Sequence, residues 1–344
     1  MTTLGDVAVL YRQRDQLPAR TRVLVVAGAV ILLHCAAVVL LVIGTATARP
    51  LALGLVLTAY LAGVKHSYDW DHVSAIDNST RRFVAQHKDP VSVGFAFSLG
   101  HSSVVVLAGL LVVSGASLAG ELMDGGSSGN LLLGLIGSAV SGLFLMFMGI
   151  FNGSAFITAA RAYRKAARGG NIRQEDLEPK GFMARLLAKP LAKVERPRNI
   201  YVIGFLFGLG FDTATTIGLL VMTTAATLAG VSPIALMTIP LAFAAAMTLC
   251  DSVNGIAMLR LYKSAIEHPQ RRLGFNAVIT GLSALSALFV AAITLGGLVR
   301  AAGLDQPAIT WLAGIDLGEA GLGLVALFGA VWFVAFLLGR RRAT

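Results

Sequence analysis

The sequence predicts an all-α integral membrane protein with eight transmembrane helices, both termini in the cytoplasm and a candidate internal repeat. Only 13% of its residues are charged and 56% are hydrophobic, whereas soluble domains carry about 25% charged residues. Apolar stretches of the roughly 20 residues that a spanning helix needs recur along the whole chain. Their number and length argue against a soluble protein with buried helices.

Eight apolar stretches are interpreted as spans. They cover residues 23–44, 51–78, 91–118, 131–159, 200–230, 233–261, 273–299 and 322–338. The first stretch is too long for the apolar region of a signal peptide, so we interpret it as a retained helix. The predicted organisation is a cytoplasmic segment (1–22), four helices (23–160), a basic cytoplasmic loop (161–199), four more helices (200–339) and a basic tail (340–344).

Basic residues lie almost entirely on one side of this predicted membrane. Of the 28 Lys and Arg residues, only Arg49 and Arg300 fall on the opposite side, and Lys65 lies within a span. The positive-inside rule places the basic side in the cytoplasm of a multi-pass protein of the plasma (inner) membrane. The net charge of +10 is therefore expected to attract anionic lipid headgroups, and nucleic acid is not an expected partner.

A short sequence echo links the third and fifth spans. Residues 94–100 (GFAFSLG) resemble residues 204–210 (GFLFGLG). Both segments enter from the cytoplasmic side, so the echo is parallel. Transporters often contain repeats with the binding site at their interface, although helix packing on small residues can also produce glycine-rich similarity. The ordered match favours a repeat.

Ionisable residues within apolar spans are expensive and usually mark a pathway or a site. Here they comprise Lys65, His66, Asp69, Asp71, His72 and Asp77 in the second span, His101 in the third, Asp212 in the fifth and Asp251 in the sixth. Spans two, three, five and six are thus expected to form a polar centre, with the other helices as scaffold. Imidazole and carboxylate donors suit a divalent transition-metal cation. Cys35 and Cys250 lie in apolar segments and are expected to be small core residues.

Helix geometry limits which of these groups can meet. At about 100° per residue, His66, Asp69 and His72 share one arc of a straight helix, and Asp71 points nearly opposite Asp69. Asp71 therefore serves a neighbouring helix or an outer shell, or the helix unwinds here, as helices at transporter sites often do. We expect the first three residues to approach the ion. The remaining candidates, as outer contacts or a gate, are Asp71, His101, Asp212 and Asp251.

Two bland interpretations stand beside this one. The cluster could be a buried ion-pair network in which Lys65 neutralises a carboxylate, but two histidines and three aspartates exceed what helix packing needs. His34, alone in the first span beside Cys35, is at least as well explained as a core histidine.

The chain resembles the eight-helix nickel/cobalt transporters of the NiCoT type. A histidine, four residues and then Asp-His form their second-helix signature, which His66, Asp71 and His72 match. Similar motifs follow at residues 75–81, 97–102, 209–215 and 243–247, the last followed by Asp251. The resemblance implies high-affinity, low-capacity uptake of nickel or cobalt, without an ATPase subunit or prosthetic group. It also implies that His66, Asp71 and His72 are required.

The chain departs from that family pattern at four positions. Ser67 and Trp70 stand where the family usually has Ala. Thr216 stands where the fifth-helix motif typically carries Glu, and Asn254 where the sixth often carries Asp. Two missing carboxylates remove negative charge near the expected path, so their consequence is expected in metal selectivity.

Three other functions are less consistent with the sequence. An efflux carrier of the same superfamily would often carry a histidine-rich cytoplasmic loop, and residues 161–198 contain no histidine. An intramembrane metal-dependent enzyme is disfavoured because the zinc-protease motif HExxH is absent. An enzyme with a serine nucleophile is disfavoured because His101 and Ser102, being adjacent, point about 100° apart on a helix. A metal sensor or scaffold would need a signalling domain, and none is evident in the sequence.

Overall fold

The computed structural model describes residues 17–44, 49–85, 90–114, 127–170, 197–209, 233–264, 269–303, 306–315, 326–327 and 330. Within these ranges the chain is helical, which confirms the predicted all-α fold. The helices are α1 (Ala19–Gly44), α2 (Arg49–Ser67), α3 (Trp70–Ala85), α4 (Val93–Val113), α5 (Ser128–Ala167), α6 (Pro197–Gly208), α7 (Pro233–Ser264), α8 (Pro269–Ala301) and α9 (Pro307–Ala313).

Five of the described helices are long and apolar enough to cross a membrane. They are Ala19–Ile43, Val93–Val113, Leu131–Ala167, Leu236–Arg260 and Thr280–Ala301, which correspond to the first, third, fourth, sixth and seventh predicted spans. The second predicted span is divided between α2 and α3, and α6 is the described start of the fifth. Most of the eighth predicted span, residues 1–16, the loop residues 171–196 and the tail 340–344 lie outside the described residues.

Helix α7 is the centre of the bundle. It packs against α1, α2, α3 and α4, while α5 lies along α8 and α4 also contacts α6. In the apolar 18-residue stretch of α7, 72% of the residues are buried, compared with 17% in the corresponding stretch of α1. Side chains on α7 are therefore placed where groups from several helices converge, whereas α1 presents most of its apolar surface outward.

Glycines let α4 approach its neighbours closely. A Cβ on Gly94 would collide with the carbonyl oxygen of Asp251 on α7, and one on Gly204 with that of Phe97. A Cβ on Gly208 would lie 2.8 Å from the carbonyl oxygen of His101. These contacts bring α6 against the segment of α4 that contains the first half of the sequence echo.

Two helices continue beyond their predicted ends. The second span was expected to end near residue 78, with Arg81 and Arg82 in a loop, but α3 extends to Ala85. Arg81 donates a hydrogen bond to Thr280, and the Arg82 guanidinium lies 5.4 Å from the centre of the Phe151 ring. These contacts hold both arginines against the bundle. Helix α5 similarly includes residues 161–167, which were assigned to the cytoplasmic loop.

The predicted scaffold helices also supply polar contacts. Asn152 on α5 donates a hydrogen bond to the side-chain oxygen of Asn78 on α3. Asn78 in turn donates to the carbonyl oxygens of Ser74, at 2.7 Å, and Ser283 on α8, at 3.5 Å. The expectation that the fourth and seventh spans serve only as scaffold was therefore incomplete, because uncharged amides and hydroxyls escape a search for ionisable residues.

We expect Gly204→Ala to destabilise the bundle and the matched control Gly28→Ala to leave it intact. A methyl group at 204 would push α6 from α4, at a cost of about 1–3 kcal/mol. Gly28 has nothing within 4 Å of its Cβ position, so alanine there keeps only its higher helix propensity. Thermal unfolding in detergent measures both. Equal melting temperatures for the two variants would contradict the close α4–α6 packing.

Candidate metal centre

The helix break at Tyr68 and Asp69 gives the site its shape. Before it, the backbone tightens, with the amides of Tyr68 and Asp69 each 3.0 Å from the carbonyl oxygens three residues earlier. The α-helical pattern resumes when the Val73 amide donates to the Asp69 carbonyl oxygen. The two histidines of the second predicted span therefore lie on different helices, His66 at the end of α2 and His72 in the first turn of α3.

Three buried histidines converge at this break. His66, His72 and His101 each offer a ring nitrogen, and the three nitrogens lie within 4.8 Å of one another. The Nε2 atoms of His66 and His101 are 2.9 Å apart. Ring centroids are separated by 4.5 Å between His72 and either of the other two. We call these three residues the histidine cluster; it joins α2, α3 and α4.

Two carboxylates contact the histidine cluster from outside. Asp69 Oδ2 lies 2.8 Å from Nδ1 of His66, and Asp251 Oδ2 lies 3.2 Å from Nδ1 of His72. A neutral imidazole that donates its Nδ1 proton to a carboxylate carries a lone pair on Nε2, which is the form that binds a metal. The two contacts therefore favour Nε2 as the ligand atom of both rings.

The spacing of the histidine cluster fits a small divalent cation after a modest inward movement. A metal about 2.1 Å from each imidazole nitrogen requires nitrogens no more than about 4.2 Å apart. The longest separation here is up to 4.8 Å, which a slight rotation of one ring closes. Three nitrogens leave coordination positions open, unlike the closed shell of a structural site. An ion bound in this way can be exchanged.

Charge around the cluster also favours a cation. Asp69, Asp71 and Asp251 are buried, and Asp71 lies in the first turn of α3, where a carboxylate offsets the positive end of the helix dipole. Lys65 is exposed and makes no ion pair with the described residues. This location of Lys65 argues against the buried network in which it would neutralise a carboxylate.

Aromatic rings form the apolar wall of the site. The Phe97 ring meets His72 edge-on at 5.0 Å, and the Phe243 ring lies 5.6 Å from His66. Both phenylalanines are almost fully buried. Both lie within the sequence motifs at 97–102 and 243–247, but their role could not be predicted, since an apolar residue in an apolar span carries no signal of its own. Their contact with the imidazoles keeps lipid and bulk water from the ring faces.

The sequence also drew attention to Asp212 and His34. Asp212, like Thr216, lies outside the described residues. His34 is on α1, with Nδ1 2.8 Å from the Val30 carbonyl oxygen and Nε2 3.2 Å from the Tyr60 hydroxyl. These contacts account for both of its nitrogens as those of a core histidine.

We expect Asp251→Asn to weaken binding of Co²⁺ to the purified protein by about 10–100-fold, because it removes the carboxylate that orients His72. The control His34→Gln removes a histidine outside the cluster and should bind as the unsubstituted chain does. Isothermal titration calorimetry in detergent measures both. An affinity in Asp251→Asn equal to that of the control would show that the carboxylate does not support the ligand.

Comparison with known proteins identifies the family to which the chain belongs. Residues 52–338 match the NicO family, described as high-affinity nickel-transport protein. The nickel transporter NicT of Mycobacterium tuberculosis is 37% identical over 295 residues, covering 84% of this chain and 79% of the relative. The cobalt transport protein NhlF of Rhodococcus rhodochrous is 34% identical over 331 residues, covering 92% of each.

A third relative is the hydrogenase nickel incorporation protein HupN of Bradyrhizobium diazoefficiens. It is 38% identical over 305 residues, covering 85% of this chain and 78% of the relative. No solved structure matches the chain. The family match covers residues 52–338, a range that includes the histidine cluster, and the three relatives cover 84–92% of the chain. The chain therefore belongs to the NicO family of high-affinity nickel-transport proteins.

Proposed function

We propose that this protein takes up nickel or cobalt ions across the plasma (inner) membrane by a secondary mechanism that needs no ATPase subunit. The observation that carries the proposal is the buried histidine cluster at a helix break. Nickel and cobalt transport, named for relatives that match most of the chain, agrees with these nitrogen donors. Imidazole suits nickel, whereas a site for copper(I) would favour thiolates.

The proposed topology has eight spans and cytoplasmic termini. Five described helices that are long and apolar enough to cross a membrane correspond to five of the eight predicted spans, which supports this topology. The distribution of basic residues supports the cytoplasmic assignment of the segments 1–22, 161–199 and 340–344. The ring centroids of Phe97 and Phe207, which occupy equivalent positions in the sequence echo, are 5.3 Å apart, and this contact supports the proposed repeat.

In the proposed binding step the ion exchanges water for the Nε2 atoms of the histidine cluster. Asp69 and Asp251 hold His66 and His72 through their Nδ1 atoms. This changes two roles from the sequence prediction, because Asp69 becomes a partner of a ligand and His101 becomes a ligand. Asp71 and Asp212 are proposed to attract the ion along its path. Ligand histidines must be neutral, so affinity falls as pH falls through the imidazole range.

The broken second span offers the element for alternating access. Helices α2 and α3 meet at Tyr68 and Asp69, where the backbone hydrogen-bond pattern changes. Rotation of one half relative to the other would separate His66 from His72 and dismantle the site. Release of the ion then needs no chemical step, and the open coordination positions allow water to re-enter.

Import is the direction that the sequence and the family favour. The family description is that of high-affinity nickel transport, and the basic loop 161–198 has no histidines to collect metal for export. Family membership also supports a carrier over the intramembrane enzyme and the sensor.

We expect cells that express the chain to accumulate nickel or cobalt from a trace mixture of nickel, cobalt, zinc and manganese, and His72→Ala to abolish the gain. Removal of one cluster nitrogen takes away a direct ligand, whereas the control His34→Ala should accumulate metal normally. Mass spectrometry of the cells, with membrane expression verified, measures all four metals.

Two results would contradict the proposal. Selective loss of nickel or cobalt from expressing cells would indicate efflux. Equal uptake by His72→Ala and the unsubstituted chain would show that the histidine cluster does not carry the ion.

A further inference from the structure

The C-terminal end of α5 carries four cations on one face. Arg161, Arg164, Lys165 and Arg168 are all exposed, and each has another member of this group three or four residues away. At about 100° per residue they fall within an arc of about 100°. We call these four residues the cationic face. Together with Gly170 they line an open cavity of about 410 Å³.

The helix end gives this cavity a defined shape. Gly169 adopts a positive φ of 76°, and the amide of Gly170 donates to the carbonyl oxygen of Lys165 at 2.9 Å. The chain therefore folds back over the last turn, as at many glycine-terminated helices. On another side of α5, Ala162 and Ala166 are buried. This packing directs the cationic face away from the bundle.

The cationic face lies at the level expected for lipid headgroups. Apolar side chains exposed along α5 include Phe147 and, last in sequence, Ile157. The half-exposed Tyr163 follows, and its ring packs against Gly274 of α8. Tyrosine is enriched where a span leaves the hydrocarbon, and long basic side chains reach the interface there. Helix α5 has 40 residues and thus a length of about 60 Å, twice the hydrocarbon thickness of about 30 Å.

The positive charge of the cationic face favours the binding of an anion. Like charges three or four residues apart repel one another, and the helix dipole offsets only part of that repulsion. Arginine forks match the oxygens of a phosphate with paired hydrogen bonds. A phosphodiester between the side chains would relieve the repulsion, and its acyl chains would lie along the exposed apolar surface just before the face.

We propose that the cationic face and its cavity bind the phosphate of an anionic phospholipid from the adjacent leaflet. The headgroup contacts the guanidinium groups, while the acyl chains run along the exposed side of α5. Lipid binding at the cationic face requires only that α5 crosses a bilayer, and it does not depend on ion transport. It assigns the basic end of α5 a specific lipid, beyond general attraction to a charged surface.

The test is a lipid titration of the full-length protein in detergent, followed by native mass spectrometry. Phosphatidylglycerol is compared with phosphatidylcholine for the unsubstituted chain and for Arg164→Gln/Arg168→Gln. The control Arg260→Gln/Arg300→Gln removes the same charge from exposed positions on α7 and α8. Since each cation near an anionic lipid contributes about a fivefold factor in affinity, the first double variant should bind phosphatidylglycerol roughly 25-fold more weakly. Co²⁺ binding should be retained, which verifies the fold.

Four outcomes would overturn the proposal. An equal loss of phosphatidylglycerol affinity in the control variant would show that binding depends on net charge and not on the cationic face. Equal binding of phosphatidylcholine would remove the requirement for an anionic headgroup, and displacement of the lipid by millimolar inorganic phosphate would identify a soluble anion as the ligand. If the first double substitution left the lipid affinity unchanged, the cationic face would not be the lipid site. Another anion would then be its partner, such as the acidic side chains within residues 175–178 of this chain.

Discussion

The interruption of the second span at Tyr68 and Asp69 is the constraint on which the metal centre depends. On a straight helix, Asp71 would point away from the arc that His66, Asp69 and His72 share, so these side chains could not all surround one ion. The break places His66 at the end of one helix and His72 at the start of another, with ring centroids 4.5 Å apart. The same break leaves a hinge within the site, so the geometry that gathers the ligands also offers the means to separate them.

The burial of these ionisable groups is tolerated because two of the histidines donate hydrogen bonds to the carboxylates beside them. The pairs of His66 with Asp69 and of His72 with Asp251 replace water for groups that are almost inaccessible to it. Breaking such a pair leaves a charge without compensation, which is strongly destabilising. Close packing at Gly94 brings α4 against Asp251 and so keeps this polar centre narrow. A bound cation would then offset the negative charge of the buried carboxylates, which their contacts with the histidines stabilise only in part.

Composition and helix geometry were enough to predict an all-α membrane protein and to find the residues that converge. They were not enough to assign roles, because a single helix cannot show that His101 on α4 lies 2.9 Å from His66. Nor could they distinguish Asp69 as a ligand from Asp69 as a partner of one, since that depends on which ring nitrogen it meets. Asn152 and Phe243 were missed for a simpler reason. Neither is ionisable, and their importance arises only from what other helices bring against them.

X-ray absorption spectroscopy of the nickel-loaded protein tests the central claim most directly, because imidazole ligands have a characteristic multiple-scattering pattern. If the histidine cluster binds the ion, the spectrum of the unsubstituted chain fits three imidazole nitrogens, and that of His101→Gln fits two with the metal still bound. A spectrum without imidazole scattering, or one with the same imidazole count in His101→Gln, would contradict the account. The second result would show that the ion binds near the helix break but not between α2, α3 and α4.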